Sequence, residues 1–559
     1  MKALQYHRLL FVLLISLCFQ PLQSVAQSDD PTGQYFEISK SLEIFGNVFK
    51  ELNQSYVNPI QPGKMTKAGI NAMLAGLDPY TNFFTEADAE NFRIHASGQY
   101  GGIGIVTRTE DSNLVVDEVF EKSPADKAGL HPGDILLSVN GQDLKGKSND
   151  EMDILMQGDK GSTLSLQIKN PVSGAEKNLS IVRAVITISN VPYASLLGKN
   201  KDIAYVSLSQ FMGHASDDVH RALDSLKKVQ PNLKGVILDL RDNPGGLLKE
   251  AVRICNLFLP EGQVVVTTKG KNENWQQVFA TTGQPWNTDI PVAVLVNHHS
   301  ASASEIVAGT MQDLDRGVII GTRSFGKGLV QQVRPVGFNT SLKLTVAHYY
   351  TPSGRCIQAL DYAHRNEDGS VSKIPDSLQN SFKTKNGRIV KDGGGIQPDI
   401  FIPEEEPGAL LQTLINKNFL FNYATRYYYS HPNIAPAEAF KLGQNDFTDF
   451  KNWLAQQDFQ AQTKEGALLQ QFKKEAEAEK RFTEVQPEYQ ALSQKLKANN
   501  AKALDTQQQS VLDLLSTEIA GRYYYQKGAT LNRLSQDDPT LKKALEILSE
   551  PKAYEKLLK

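Results

Sequence analysis

The spacing of apolar residues divides the chain into four stretches of different character. Between 37 and 92, apolar side chains recur at helical spacing, which predicts a small helical cap. Residues 98–183 form short runs rich in Val, Ile and Leu, separated by Gly, Pro and Asn turns, as expected for a compact β-rich module. From 184 to about 406, apolar strands alternate with helices, and beyond 407 the pattern is again helical. Together these patterns predict a multidomain α+β protein.

The first residues carry a different pattern. Lys2 and Arg8 precede an apolar run over 9–19, and small residues lead up to Ala26. This order predicts a secretory signal peptide that is cut after Ala26, so the protein is expected to be exported to the cell envelope. An uncleaved anchor is the alternative, although the run is shorter than the ~20 residues of a stable membrane span. A lipid anchor at Cys18 is disfavoured, because this cysteine sits inside the apolar run.

These boundaries define the predicted domains. They are a signal peptide at 1–26, a helical region at 27–97, a β-rich module at 98–183, an α/β region at 184–406 and a helical region at 407–559. The polar stretch 361–395 is a surface insertion without an assigned role. The helices beyond 407 are interpreted as solvated helices packed on the core, or as a surface for self-association or an adaptor.

Length, charge and cysteine usage narrow the function. With 559 residues, 40% of them hydrophobic, the chain is long enough for three to four domains. A net charge of −3 removes the main electrostatic reason to expect nucleic-acid binding. Beyond the signal peptide only Cys255 and Cys356 remain, without a CxxC partner, and we interpret them as inert core thiols whose pairing stays open.

A glycine-rich entry opens the β-rich module. Gly101, Gly102, Ile103 and Gly104 follow one another, and their backbone N–H groups could receive the terminal carboxylate of a peptide that adds as an extra strand. The alternative is a tight turn that needs glycine for positive φ. The segment 121–136, together with the Val-Asn-Gly turn that follows it, resembles the PDZ domains of bacterial proteases. That resemblance favours peptide binding.

The centre of the α/β region is a serine-rich junction. An apolar strand stops at Val296, the run Ser-Ala-Ser-Ala-Ser-Glu occupies 300–305, and a helix begins there. Such a junction presents a hydroxyl beside free helix N–H groups, as an acyl-transfer nucleophile and its oxyanion hole require. Taken alone, the serines are equally well explained as helix caps.

A single lysine lies between glycines 25 residues beyond the middle serine. Lys327 belongs to a Phe-Gly-Lys-Gly segment that follows an apolar strand. Close backbone approach at the glycines could draw its amine into a poorly hydrated place, which lowers a lysine pKa. A neutral amine can accept a serine proton. An exposed loop lysine is the simpler explanation of this segment by itself.

Taken together with the Asn-Pro-Gly-Gly turn at 243–246, these segments resemble the C-terminal processing, or tail-specific, serine protease family. The resemblance covers about 300 residues and implies a crotonase-like α/β core. It implies that Ser302 is the nucleophile, Lys327 the general base and Gln331 the residue that orients the lysine. It also implies an oxyanion hole made by the N–H groups of Ala303 and Gly246, the latter chosen over Gly245.

The same resemblance suggests residues that support the site. Asp313 matches an aspartate implicated in some members, and we interpret it as supportive, because a fixed negative charge beside Lys327 would oppose its work as a base. Glu305 and Arg241 lie in the same motifs and are expected to hold the surroundings in place. A Ser-His pair using His298 or His299 is disfavoured, because neither has an evident orienting acid. No metal or organic cofactor is expected.

The resulting hypothesis is an exported serine endopeptidase. The PDZ module would capture unfolded or exposed protein C-termini, and the Ser-Lys dyad would cleave them, with no nucleic acid and no stable membrane span involved. Two rivals remain: a peptide-binding scaffold with a silent α/β domain, and an acyl-coenzyme A enzyme suggested by the crotonase-like layout alone. The intact Ser302, Lys327 and Gln331 argue against the scaffold.

Overall fold

A computed structural model describes residues 31–559, apart from 148, 367, 405–406, 458 and 460–462. The predicted signal peptide at 1–26 lies outside these residues. Across the part that is described, no helix combines the length and the apolar character that a bilayer span requires. The chain divides into two compact units, Met1–Met73 and Leu74–Lys559.

The first unit contains the helices that the sequence predicts near the start of the chain. They are α1 (Pro31–Ser55) and α2 (Pro62–Ala75), of which the last two residues belong to the second unit. A methyl group added to Gly69 would lie 3.7 Å from the Phe45 ring, so the two helices contact each other there. Leu42, Phe45 and Val48 nevertheless remain more than half exposed. The apolar stripe of α1 is therefore only partly covered within this unit.

A short stretch links α2 to the β-rich module. It consists of β1 (Asn82–Phe84), α3 (Glu86–Ser97) and β2 (Gln99–Gly102). Thr85 and Asp88 form a capping box at the start of α3, and Gly98 ends the helix with a φ of 70°. The capping box and Gly98 therefore define the two ends of α3.

The β-rich module folds as an antiparallel sheet in the order β3-β4-β5-β7-β8, with β6 paired to β5. Val116, Leu136 and Leu164 contribute to its core. Because β3 lies at one end of this order, it is an edge strand. The elements of the module are β3 (Ile105–Glu110), β4 (Asn113–Val119), α4 (Pro124–Lys127), β5 (Ile135–Val139), β6 (Gln142–Asp143), α5 (Asn149–Met156), β7 (Thr163–Lys169) and β8 (Glu176–Val182).

The α/β region is built on a six-stranded sheet in the order β10-β11-β12-β15-β16-β23. All neighbours pair in parallel except β10, which is antiparallel to β11. Nearly every position of the four central strands, β11, β12, β15 and β16, is buried, which indicates that both faces of the sheet are covered there. The elements are β9 (Ala184–Thr187), which pairs with β2, and β10 (Tyr193–Leu197), β11 (Ile203–Ser207), α6 (Ala215–Val229), β12 (Gly235–Asp239), α7 (Leu248–Asn256), β15 (Val292–Val296), α8 (Ala303–Asp313), β16 (Val318–Gly321) and β23 (Ile400–Phe401).

A second sheet stands beside the first. It joins β1, β18, β13 and β14, and β17 pairs with β18 along a long hairpin. The polar insertion predicted at 361–395 forms two small hairpins, β19 with β20 and β21 with β22. These strands are β13 (Val264–Gly270), β14 (Gln277–Ala280), β17 (Leu329–Gly337), β18 (Thr340–Tyr350), β19 (Leu360–Arg365), β20 (Val371–Lys373), β21 (Ser381–Lys383) and β22 (Ile389–Lys391).

The region beyond 407 is helical, as the sequence predicts, and part of it completes the parallel sheet. The two faces of the sheet have separate cores. One core packs against α6, α7 and α8, and the other packs against the last two helices through residues such as Leu541 and Leu548. The helices are α9 (Ala409–Asn416), α10 (Phe419–Ser430), α11 (Gln444–Ala455), α12 (Lys464–Ala478), α13 (Phe482–Thr506), α14 (Gln508–Ser535), α15 (Pro539–Ser549) and α16 (Pro551–Leu557).

The other tail helices form a separate core and contact the β-rich module. Leu414, Phe450 and Leu515 are buried together within them. At the contact, the Phe421 ring of α10 stacks with Arg108 of β3 at 3.9 Å. The tail therefore touches both the module and the parallel sheet.

The two cysteines that follow the predicted signal peptide are free thiols. Cys255 is buried in the core, and burial raises the pKa of its thiol to about 12. Cys356 is only partly buried. The pairing left open by the sequence is therefore absent between these two described residues.

Replacing Tyr554 with Phe tests how much the hydrogen bonds between α16 and β15 contribute to stability. The Tyr554 hydroxyl accepts the N–H of Val292 at 2.9 Å and lies 3.1 Å from the Val292 carbonyl oxygen. We expect the free energy of unfolding to fall by about 1–3 kcal/mol, because buried polar groups lose their partner. Urea unfolding followed by tryptophan fluorescence measures this change. Tyr56→Phe, at an exposed position, is the control, and equal stability of the two variants would contradict the expectation.

Candidate active site

Three motif segments meet at one edge of the parallel sheet. The neighbouring strands β12, β15 and β16 end at Asp239, Val296 and Gly321. The Asn-Pro-Gly-Gly turn, the serine-rich run and the Phe-Gly-Lys-Gly segment follow these three ends. Because parallel strands present their carboxyl ends at the same edge, segments far apart in the sequence come together there.

Ser302 occupies a strained turn at the start of α8. Its φ of 56° and ψ of −111° lie outside the regions that residues with a side chain ordinarily adopt. Gly245 packs against this turn: a Cβ added to it would lie 2.6 Å from the Ala301 oxygen and 2.8 Å from the Ser302 Cβ. Only glycine fits at that position. Backbone strain of this kind is concentrated at functional sites.

Two backbone N–H groups, one in the Asn-Pro-Gly-Gly turn and one directly after Ser302, have no acceptor among the described residues. The Gly245 N–H donates to the Asn243 side chain at 2.9 Å and is therefore occupied. For the N–H groups of Gly246 and Ala303, no acceptor is found within the described part of the chain. The two adjacent glycines therefore differ: the N–H of Gly245 is hydrogen-bonded to Asn243, and the N–H of Gly246 can donate to another group.

The buried carboxylate of Glu305 joins the two motif segments. One of its oxygens accepts the N–H of Ser302 at 2.8 Å and that of Lys327 at 2.9 Å. The other accepts the Ser324 hydroxyl at 2.6 Å and the Gly326 N–H at 2.7 Å. Burial raises the pKa of Glu305 to about 7, and the four donors oppose this rise. Glu305 therefore fastens the lysine loop to the start of α8.

A tyrosine from the second sheet makes a similar connection. The Tyr349 hydroxyl lies 3.1 Å from the carbonyl oxygen of Ser302 and 2.5 Å from that of Lys327. Burial raises the pKa of Tyr349 well above its ordinary value, so the hydroxyl keeps its proton. Ser302 and Lys327 thus share two partners: Glu305 at their N–H groups and Tyr349 at their carbonyl oxygens.

The amine of Lys327 lies in a partly buried place. Burial, with a further contribution from the charge of Lys343, lowers the pKa of Lys327 to about 8. Glu305 and Asp78 act in the opposite direction through their negative charge. The nitrogen also faces the ring of Tyr80, 3.9 Å from the ring centre. The lowered pKa agrees in direction with the effect that the sequence predicts for this lysine.

Gln331 lies on β17, four residues after the lysine. Its side-chain nitrogen donates to the Thr345 hydroxyl at 3.3 Å. The Thr345 N–H in turn donates to the Thr81 hydroxyl at 3.2 Å. Gln331 is therefore connected to the residue next to Tyr80, and through it to the surroundings of the Lys327 amine.

Arg241 and Asp313 lie around the site in fixed ion pairs. Arg241 pairs with Asp239 at 2.7 Å and with Asp538, at the start of α15, at 2.8 Å. Asp313 pairs with Arg355 at 2.7 Å, and both side chains are fully buried. Because Asp313 ends the eleven-residue helix that Ser302 begins, about 16 Å of helix separates it from the serine.

The two histidines before Ser302 contact other groups. His298 lies 3.5 Å from Glu404, and its ring is 3.9 Å from that of His299. Both residues are exposed. These contacts do not direct either ring to Ser302.

The structure places the four predicted peptide-binding residues at the entry to β3. Gly101 and Gly102 lie in β2 and pair with β9. A Cβ added to Gly101 would lie 2.2 Å from the Gly158 oxygen, so this position requires glycine. Ile103 is buried in the core of the module, and Gly104 has a φ of 82°. The glycines therefore serve close packing and turn geometry as well as leading into an edge strand.

Sequence reasoning missed Tyr80 and Tyr349 as parts of this site. Tyr349 lies near the end of β18, where no single residue stood out in the sequence. Tyr80 lies in the Asp-Pro-Tyr-Thr segment that ends the predicted helical cap. The pairing of β1 with β18 brings that segment into the site.

Comparisons with known protein families assign three regions of the chain. The chain matches "Peptidase family S41" over residues 202–363, "PDZ domain" over 91–169 and "Probable PDZ-protease, C-terminal helical domain" over 410–548. A solved photosystem II D1 C-terminal processing protease aligns with a TM-score of 0.35 and 25% identity, covering 67% of this chain and 96% of that chain.

Two curated relatives each match more than half of the chain. The carboxy-terminal-processing protease of Bartonella bacilliformis is 37% identical over 323 residues, which are 57% of this chain and 73% of that protein. Carboxy-terminal processing protease CtpB of Bacillus subtilis is 31% identical over 322 residues, covering 57% of this chain and 66% of that protein. With its PDZ domain, S41 core and C-terminal helical domain, the chain belongs to the carboxy-terminal processing serine peptidases of family S41.

Proposed function

We propose that Ser302 and Lys327 form the catalytic dyad of this serine-type peptidase. The proposal rests on the contacts that the two residues share. Glu305 accepts the backbone N–H groups of both, and the Tyr349 hydroxyl contacts the backbone carbonyl oxygens of both. The lowered pKa of Lys327 supports it, because a lysine accepts a proton only when its amine is uncharged. Ser302 supplies the hydroxyl from a strained turn at a helix start.

The reaction proceeds in two halves. Lys327 takes the hydroxyl proton while the Ser302 oxygen attacks a peptide carbonyl. The lysine then returns that proton to the leaving amine as the carbon–nitrogen bond breaks, which leaves an acyl-enzyme. A water molecule, deprotonated by the same lysine, attacks the ester and releases the shortened chain and the serine. Each proton taken up by the lysine is given back, so the cycle closes.

The negative charge on the attacked carbonyl oxygen needs donors. We assign this task to the N–H groups of Gly246 and Ala303, because each is available while that of Gly245 is engaged by Asn243. Donors aimed at developing charge in a site of low polarity give a large part of catalytic rate enhancement. Both amides belong to the backbone, so side-chain substitution can displace them but cannot remove them.

Gln331, Glu305, Arg241 and Asp313 are assigned supporting tasks. Gln331 helps to orient the lysine, and its connection through Thr345 to Thr81 provides an indirect way to do so. Glu305 fixes the lysine loop, and Arg241 fixes the glycine turn to the parallel sheet and to α15. Asp313 secures the far end of α8 through Arg355.

Substrate capture is assigned to the PDZ domain. An unfolded or exposed protein C-terminus would add as a strand to the edge strand β3, with its carboxylate near Gly101, Gly102, Ile103 and Gly104. The parallel sheet with its repeated strand–helix units supports the crotonase-like layout of the core. The N-terminal sequence supports export to the periplasm or cell envelope. The tail helices remain a candidate surface for self-association or an adaptor.

Substitution of the dyad tests the mechanism directly. We expect Ser302→Ala and Lys327→Ala each to lower kcat/KM by about four to six powers of ten on an unfolded protein with an apolar C-terminus, because dyad members act as a unit. Lys327→Arg is expected to be equally inactive, because arginine stays charged. Peptide release followed by mass spectrometry measures the loss. His299→Ala is the control, and a loss in it comparable to that of Ser302→Ala would favour the Ser-His alternative.

Binding by the Ser302→Ala variant separates the peptidase from a silent scaffold. Wild-type protein should shorten the same substrate that the variant merely binds. A wild-type protein that binds the substrate with equal affinity and releases no peptide would support the scaffold hypothesis instead.

The pH dependence follows from the pKa of the base. With a pKa of about 8 for Lys327, about one tenth of the amines are uncharged at pH 7. This fraction falls about tenfold for each pH unit below 7. We expect kcat/KM to rise with pH and to reach half of its plateau near pH 8, on a substrate without groups that titrate there. A plateau already reached at pH 6 would contradict the assignment of Lys327 as the base.

Substitution of Asp313 distinguishes support from proton transfer. Asp313→Asn leaves the buried Arg355 charge without its partner, so we expect the free energy of unfolding to fall by about 3–5 kcal/mol. Adding Arg355→Met to the same chain should recover part of that loss, as measured by urea unfolding. The folded fraction should keep the wild-type pH profile of kcat/KM. A shifted profile would instead indicate that Asp313 takes part in proton transfer.

A further inference from the structure

The amine of Lys327 faces an aromatic ring that comes from a distant part of the chain. Its nitrogen lies 3.9 Å from the centre of the Tyr80 ring. This distance is well within the ~6 Å range of a cation–π contact. Tyr80 is partly buried, so its ring also covers one side of the amine from water. The ring therefore affects both the charged and the uncharged form of the lysine.

The segment that carries Tyr80 is held by its own polar contacts. The Asp78 carboxylate accepts the N–H groups of Tyr80 at 2.8 Å and of Thr81 at 2.9 Å, which forms a tight turn. Directly afterwards, β1 pairs with β18 in the register Asn82 with Lys343. The Thr81 hydroxyl accepts the N–H of Thr345 from the same strand. The tyrosine is thus anchored to the sheet on which Tyr349 also lies.

The polar insertion also contacts the segment that carries Tyr80. Tyr362 of β19 meets the Tyr80 ring edge-on, with ring centres 6.2 Å apart. Arg365, at the end of β19, donates to the carbonyl oxygens of Ala75 at 3.3 Å and Leu77 at 2.8 Å. The first hairpin of the insertion, β19 with β20, therefore contacts Tyr80 itself and the backbone of Ala75 and Leu77 just before it.

The Tyr80 hydroxyl is not a counter-ion for the lysine. Burial, together with a hydrogen bond that the Tyr80 hydroxyl donates to Tyr362, raises the pKa of Tyr80 well above its ordinary value, so the ring stays neutral at working pH. The charged groups that act on the Lys327 amine are Lys343 from β18, Glu305 from α8 and Asp78 from the Tyr80 segment itself. Tyr80 therefore acts on the Lys327 amine through the face of its uncharged aromatic ring.

A neutral aromatic face acts on the lysine in two opposite directions. By excluding water, it disfavours the ammonium form and makes the free amine more available as a base. By presenting its negative face, it stabilises the ammonium that forms when the Ser302 proton is taken up. A base in this setting has a lowered pKa and is still stabilised in the ammonium form once it takes up the proton.

We propose that Tyr80 is the positioning residue of Lys327, and that the β19–β20 hairpin holds Tyr80 in place for that task. The proposal rests on the proposed function of Lys327 as the base. It assigns a task to the Asp-Pro-Tyr-Thr segment and to a hairpin of the insertion, neither of which the motifs of the family resemblance cover.

Three substitutions of Tyr80 separate its two effects. Tyr80→Phe keeps the ring, so the midpoint of the rise of kcat/KM with pH should stay at the wild-type value. Tyr80→Leu keeps an apolar cover but removes the aromatic face, so the midpoint should move to lower pH by about half a unit to one unit. Tyr80→Ala admits water, so the midpoint should move to higher pH by about one to two units.

The opposite shifts of the Leu and Ala variants distinguish positioning from a merely structural task. A residue that only maintains the fold would change the height of the pH profile and leave its midpoint in place. Identical midpoints in wild type and all three variants would therefore overturn the proposal. If Lys327→Ala is inactive in the same assay, the proposed function stands even when the Tyr80 proposal fails.

A second measurement does not depend on cleavage. Lysine amines labelled with 13C by reductive methylation can be titrated by NMR, and the Lys327 signal is the one missing from Lys327→Ala. We expect its titration midpoint to move in the same directions as the kinetic midpoint in the Leu and Ala variants. An unmoved midpoint would overturn the proposal even if no peptide substrate were cleaved.

The hairpin is tested by a matched pair of neighbouring residues. Arg365→Ala removes the contacts to Ala75 and Leu77, and the midpoint should move toward that of Tyr80→Ala by at least a few tenths of a pH unit. His364→Ala removes only an exposed contact with Asp361 and should leave the midpoint unchanged. Equal midpoints in these two variants would show that the hairpin does not hold Tyr80.

Discussion

The buried carboxylate of Glu305 is the constraint on which the arrangement of the site depends. A charge in the protein interior is costly unless donors surround it, and here three backbone N–H groups and one hydroxyl do so. Two of those amides belong to Ser302 and Lys327. If the lysine loop moved away from α8, the carboxylate would lose three of its four donors. The relative position of the two residues is therefore tied to the solvation of a neighbouring charge.

The parallel sheet and the tail form one structural body. Helices α6, α7 and α8 cover one face of the sheet, and α15 and α16 cover the other. Arg241, which follows the strand β12, pairs both with Asp239 and with Asp538 of the tail. The turn that carries the Gly246 amide is thus connected to the helices beyond 407. The tail is part of the framework of the site as well as a contact surface for the PDZ domain.

The sequence could predict what local patterns and motifs encode. Apolar runs located the strands that end at Asp239, Val296 and Gly321, and the resemblance identified the segments that follow them. Tyr80 and Tyr349 could not be predicted as neighbours of Lys327, because strand pairing between distant segments brings them there. The partner of Asp313 was equally hidden, since Arg355 lies 42 residues further along the chain. The task of Gln331 stays a prediction, because its hydrogen bond here is with Thr345.

The position of α15 and α16 has a consequence for the order in which the molecule can assemble. Both serine and lysine segments are synthesised well before residues 539–557, yet those residues supply the second apolar cover of their sheet. A nascent chain that has emerged past Lys327 still exposes Tyr205, Ile237 and Leu295 on that face. The order of translation thus differs from the order of burial, and the peptidase framework is complete only after the ribosome has added the tail.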